Sequence, residues 1–144
     1  IIDKRMAVGI GLQAIAVAAA SLLAYYQGLR LYGVEQIAHA RTIVFATLIS
    51  AELLRALSAR SLDHTLFRIG LFSNMKMLLA ILASFSLMLV VLYVPAFQGI
   101  FDTFALGIKD WSIVLSFAFI PLVLGEIVKF FRQKKLDQEI LEKR

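Results

Sequence analysis

Cysteine is absent from this chain. Disulfides and thiolate metal sites are therefore excluded, and the redox compartment leaves no trace in the sequence. Only two histidines occur, His39 and His64, and only two prolines, Pro95 and Pro121. No phosphate-binding loop of the Walker type, no nucleophile elbow and no kinase motif set can be found. No polar insert is large enough for a catalytic domain, so the segment itself has no catalytic residues. Acidic residues are the scarcer charge, 10 against 15 Lys and Arg, which gives a net charge of +5. In a soluble protein that balance would suggest a nucleic-acid partner. Here the basic residues flank apolar runs, so membrane orientation explains them and no nucleic-acid partner is expected.

What is abundant is apolar sequence: 60% of residues are hydrophobic and the mean hydropathy is +0.83. Soluble domains usually lie near half apolar. Four runs carry the excess, each of about the length needed to cross a bilayer. The fold class follows: all-α, a polytopic membrane protein built as a four-transmembrane-helix bundle. A single membrane domain covers residues 1–144, with spans at about 6–27, 41–59, 77–94 and 111–131 and a cytoplasmic tail at 132–144. The start at Ile1 reads as a processed chain or an excised segment. Residues 1–20 mimic a signal peptide, but the uncharged run continues to Leu29, too long for a signal core.

The first span has small residues four apart, Ala7 and Gly11, Ala14 and Ala18, and the set Ala16, Ala20 and Ala24. Such spacing permits close helix approach in lipid. Gln13 is its one clearly polar interior side chain and is expected to hydrogen-bond a neighbouring helix. Gly28–Ala40 reads as a polar connection broken at Gly28 and Gly33. Within it Glu35 and His39 share helical spacing, but two ligands are too few for a metal site. The connector from Arg60 to Lys76 is basic, with Asp63 and His64 as solvated residues, an apolar set from Phe67 to Phe72 suited to the membrane surface, and Asn74 as a helix cap. The third span contains no charge and reads as a supporting helix that faces lipid and neighbours. Pro95 should stop or kink it, and Ala96–Asp110 reads as a loop. Tyr93 and Trp111 are interfacial anchors, Pro121 should kink the fourth span, and the tail reads as a helix with Lys135–Glu139 and Glu139–Lys143 pairs.

Two acid–base pairs stand out. Glu52 and Arg55 lie inside the second span, and a carboxylate at membrane depth is costly. Their spacing of three allows either an internal ion pair, with Arg55 snorkelling outward, or a carboxylate left free to meet a cation. Glu126 and Lys129 repeat the spacing near the far end of the fourth span, where a structural ion pair is the simpler reading. Of the fifteen Lys and Arg residues, all but Arg30, Arg41 and Lys109 fall on the side that four spans assign to both termini. The positive-inside rule makes that side cytoplasmic.

The stretches IIDKRM, FATLISAELLRALSARS, LYVPAFQGIF and DWSIVL leading into GEIVKF, in this order and spacing, resemble the C-terminal membrane segment of P-type cation-transporting ATPases. The likeness is nearest to the calcium pumps of the sarco/endoplasmic-reticulum and secretory-pathway type, and covers the last four of their ten helices. It implies that the chain supports ATP-driven calcium transport across a membrane within a parent translocase. The lipid bilayer, the remaining six helices and the cytosolic domains would be its partners. Calcium would be the transported ion, and ATP and magnesium would act in the parts of the pump beyond this chain. Localisation would be integral and multi-pass, in the cell membrane if the source is prokaryotic. Glu52 matches an acidic position that supplies a calcium ligand in two-site pumps, and Glu126 an acidic position that does not. Arg55 departs from the family's amide at that place. A guanidinium there neutralises Glu52, which implies a single-site pump or an Arg55 turned to the cytoplasmic interface. Two other readings remain open: a stand-alone four-helix membrane scaffold or assembly protein, and a small transporter that builds its path by oligomerising.

Overall fold

The structure, a computed structural model, describes the backbone of residues 4–58 and 74–142 and the side chains of 7–58, 74–131 and 134. Among these are five α-helices: α1 (Lys4–Tyr32), α2 (Ile37–Ser58), α3 (Met75–Tyr93), α4 (Pro95–Phe101) and α5 (Ile108–Glu142). A single 3-10 turn, Val34–Gln36, joins α1 to α2, and no strand occurs among the described residues. Four stretches are long and apolar enough to cross a membrane: Ala7–Tyr32, Val34–Ser58, Met75–Tyr93 and Ile108–Phe131. The expectation of an all-helical, four-span chain is met.

The boundaries moved where glycine was read as a breaker. Gly28 lies inside α1, and a Cβ there would stand 3.1 Å from both Cα and Cβ of Ala40 and 3.3 Å from Cδ1 of Ile43. At this point α1 and α2 approach closely, and a side chain would push them apart. The buried stripe Ala16, Ala20 and Ala24 leads up to it, four residues apart, whereas Ala7, Gly11, Ala14 and Ala18 face outward. The chain turns instead at Gly33, whose φ of +73° suits a residue without Cβ.

The stretch read as a loop from Ala96 to Asp110 is also partly helical. Pro95 opens α4 at its first turn, where its missing N–H costs nothing. Asp102 closes α4 in the left-handed conformation, φ 53° and ψ 45°. The segment then turns back and satisfies the free carbonyls at the end of α3. Thr103 Oγ1 donates to Val91 O at 3.0 Å and Gln98 Nε2 donates to Leu92 O. Such carbonyls need protein donors where water is scarce. Asn74 caps α3 as expected, its Oδ1 accepting from the Met77 N–H at 3.2 Å. Pro121 lies within α5, which runs continuously from Ile108 to Glu142 and takes the tail with it. The tail's two charge pairs, and the connector with Asp63, His64 and the apolar set from Phe67 to Phe72, lie outside the described residues.

Helices α1, α2 and α5 pack mutually, α3 lies against α2, and α4 folds back on α3. The shared core gathers Ala24, Ile43, Ala46, Met88, Leu92, Leu106 and Val114. Of the four spans α2 is the most enclosed, 39% buried, and α3 the least, 17%. Helix α3 presents Leu79, Leu82 and Leu87 outward, which suits a lipid-facing support.

Candidate functional site

Helix α2 has a packed side and an open side. The packed side carries small or hydroxyl residues, Ala46, Thr47, Ser50, Ala51 and Ser58 among them. The Thr42 and Thr47 hydroxyls donate to carbonyls four residues back, Ala38 O at 2.9 Å and Ile43 O at 2.8 Å. They bury no unsatisfied donor and leave the face smooth. The open side carries Leu48, Glu52 and Ala56. There Arg55 forks onto one carboxylate oxygen of Glu52: Nε donates to Oε2 at 2.8 Å and Nη2 to the same Oε2 at 2.6 Å. Oε1 takes no part in that fork. The two side chains are 47% and 38% exposed, on a face the other described helices leave uncovered.

The second pair has the opposite setting. Lys129, on α5, is 6% exposed. Its ammonium donates to Glu126 Oε1 at 3.2 Å, to Ser58 Oγ at 2.7 Å and to the Ser58 main-chain oxygen. The Ser58 hydroxyl in turn donates to Glu126 Oε1 at 2.5 Å. One lysine, one glutamate and one serine thus close a cycle that ties the C-terminal end of α2 to α5. One residue earlier on α5, a Cβ on Gly125 would stand 2.9 Å from Nε2 of Gln13, so α1 brings its polar side chain against α5 beside this cycle.

At the other end of the bundle a third cluster ties the same helices. The Asp110 carboxylate is almost fully buried. It accepts from Tyr32 Oη at 2.7 Å and from Gly107 N at 2.8 Å, and lies 3.1 Å from His39 Nε2. His39 lies against Tyr32, ring centres 4.0 Å apart and planes tilted by 39°. The ring weighed with Glu35 as a weak metal pair therefore serves Asp110. The two interfacial anchors also meet: Trp111 Nε1 donates to Tyr93 Oη at 2.7 Å, and that hydroxyl donates to Leu106 O at 2.7 Å. In the sequence Asp110 reads only as the end of a loop, and nothing marks Ser58. Their partners lie about seventy residues away, beyond the reach of helical spacing. The one local signal was an acid opening an apolar run.

Among the described residues no three His, Asp or Glu side chains gather as a metal site. Comparison with known proteins supplies what the geometry leaves open. The family described as "Cation transporting ATPase, C-terminus" matches residues 1–131. This chain belongs to that family. The cation-transporting ATPase segment is 41% identical over 90 residues to a calcium-transporting ATPase of Bacillus subtilis, which covers 62% of this chain and 10% of that protein. It is 35% identical over 100 residues to one of Plasmodium falciparum, 69% and 8% respectively. It is 30% identical over 99 residues to calcium-transporting ATPase 1 of Bacillus cereus, 69% and 11%. The chain spans about a tenth of the length of these relatives. With four helices of spanning length, it is a multi-pass integral membrane protein.

Proposed function

We propose that this chain is the C-terminal four-helix part of a P-type calcium-transporting ATPase, and that the open side of α2 with Glu52 borders the ion path. The observation that carries the reading is the setting of Glu52: a carboxylate within a membrane span, on a face uncovered by its own bundle, with one oxygen outside the Arg55 fork. Lipid against such a face would be costly. Six further helices of the parent pump would cover it and supply the other oxygens a hard cation needs. ATP and magnesium would act in cytosolic domains of the parent, and no residue of this chain is assigned to them. Both termini would be cytoplasmic, since Arg30, Arg41 and Lys109 alone among the Lys and Arg residues fall on the opposite side.

The fork favours a second reading of the same residue. With both nitrogens at hydrogen-bond distance, Arg55 can serve as the standing counter-ion of Glu52, which makes the parent a single-site pump. Two experiments test the proposal. The genomic frame upstream of Ile1 should encode an aspartyl-phosphate motif and six spans; a start codon immediately before Ile1 would overturn the reading. Calorimetry on the purified chain should detect no micromolar calcium binding, because one carboxylate beside an arginine supplies too few ligands. Tight binding would point to a self-contained transporter.

A further inference from the structure

The geometry points to Lys129 as a positioning residue for cation binding: from α5 it clamps the C-terminal end of α2 and so sets where the Glu52 carboxylate stands. This rests on the reading of Glu52 as a cation ligand. A buried ammonium is expensive, and a lysine near the end of a membrane span can ordinarily snorkel to the interface. Lys129 does not snorkel. It stays buried and spends its donors on Ser58 and Glu126. One of these bonds goes to the Ser58 main-chain oxygen, so α5 grips the backbone of α2 itself and not only a side chain.

Helix α2 needs that grip. From Ala46 to its C-terminal end its buried residues are alanine, serine and threonine, whose small side chains allow close approach but resist rotation weakly, and the bulky Ile43 packs only in the other half. Its orientation about its own axis therefore depends on polar pins at the ends. The N-terminal pins are His39 against Asp110 and Thr42 Oγ1, which accepts from Phe104 N at 3.2 Å. They lie ten or more residues from Glu52. Ser58 is six residues from it, about 9 Å of helical rise, so the C-terminal pin is the nearer one. Arg55 cannot do this work, because it sits on the same helix and moves with Glu52. Oxygen ligation of calcium holds within about 2.3–2.6 Å, so a small turn of α2 is enough to withdraw a ligand.

The test uses the full pump that carries this chain and measures phosphorylation from ATP as a function of free calcium. Lys129→Met should raise the calcium concentration at half-maximal phosphorylation on the order of 10-fold, as expected of a residue that orients a metal ligand. The maximal phosphorylation per folded pump should stay unchanged. Lys129→Arg should restore most of the affinity. Ser58→Ala, which keeps the main-chain oxygen, should shift the midpoint less and in the same direction, and it carries the test should Lys129→Met fail to assemble. In a Glu52→Gln background Lys129→Met should add nothing. An unmoved midpoint in both Lys129→Met and Ser58→Ala, or a shift that persists undiminished in the Glu52→Gln background, overturns the clamp. If Glu52→Gln alone leaves the midpoint where it was, the ligand reading fails first, and the clamp falls with it.

Discussion

Glu52–Arg55 and Glu126–Lys129 are the same motif in sequence: an acid, two residues, a base, on an apolar helix. In the fold they differ in every respect that matters energetically. The first pair is exposed and closed within one helix, so it ties α2 to nothing else described. The second is buried and recruits Ser58 from seventy-one residues away, so it ties two helices together. A pair that spans helices stabilises the bundle. A pair confined to one helix on an open face is free to serve something outside the bundle. The contrast is the reason to look for function at Glu52 and for architecture at Lys129.

The comparison can be broken by unfolding the chain in mild detergent. Lys129→Met should cost most, about 3–5 kcal/mol, because it removes the buried member of an ion pair that joins two helices. Asp110→Ala should follow at about 2–3 kcal/mol, since Tyr32, Gly107 and His39 lose a shared charged acceptor. Gly28→Ala tests packing in place of charge, and crowding Ala40 and Ile43 should cost about 1–2 kcal/mol. Arg55→Met should cost least, under about 1 kcal/mol, as for other exposed pairs. Equal losses for Arg55→Met and Lys129→Met, read as equal shifts of the unfolding midpoint, would erase the distinction between the two pairs.

The four spans were legible because the period and length of apolar runs depend on the bilayer and little else. The turns were less so. Gly28 and Gly33 look alike in sequence, yet one is a contact point and the other a true turn with positive φ. Which is which depends on Ala40 lying opposite Gly28, a tertiary fact. Pro95 ends α3 as the sequence predicts, but it also opens α4, because proline is equally at home after one helix and in the first turn of the next. Glu126 with Lys129 could be seen as a pair, but Ser58 could not be seen as its third member. The Asp110 cluster was missed for the same reason, since Tyr32 and His39 come from two other helices.

The central claim is that Glu52 borders a cation path formed with helices beyond this chain. Its most direct test is the calcium dependence of phosphorylation in the full pump carrying Glu52→Gln. A carboxamide keeps the size and one oxygen but removes the charge, so the midpoint should move to higher calcium while the folded amount of pump stays the same. A midpoint identical to that of the unaltered pump would contradict the claim and leave Glu52 as the counter-ion of Arg55.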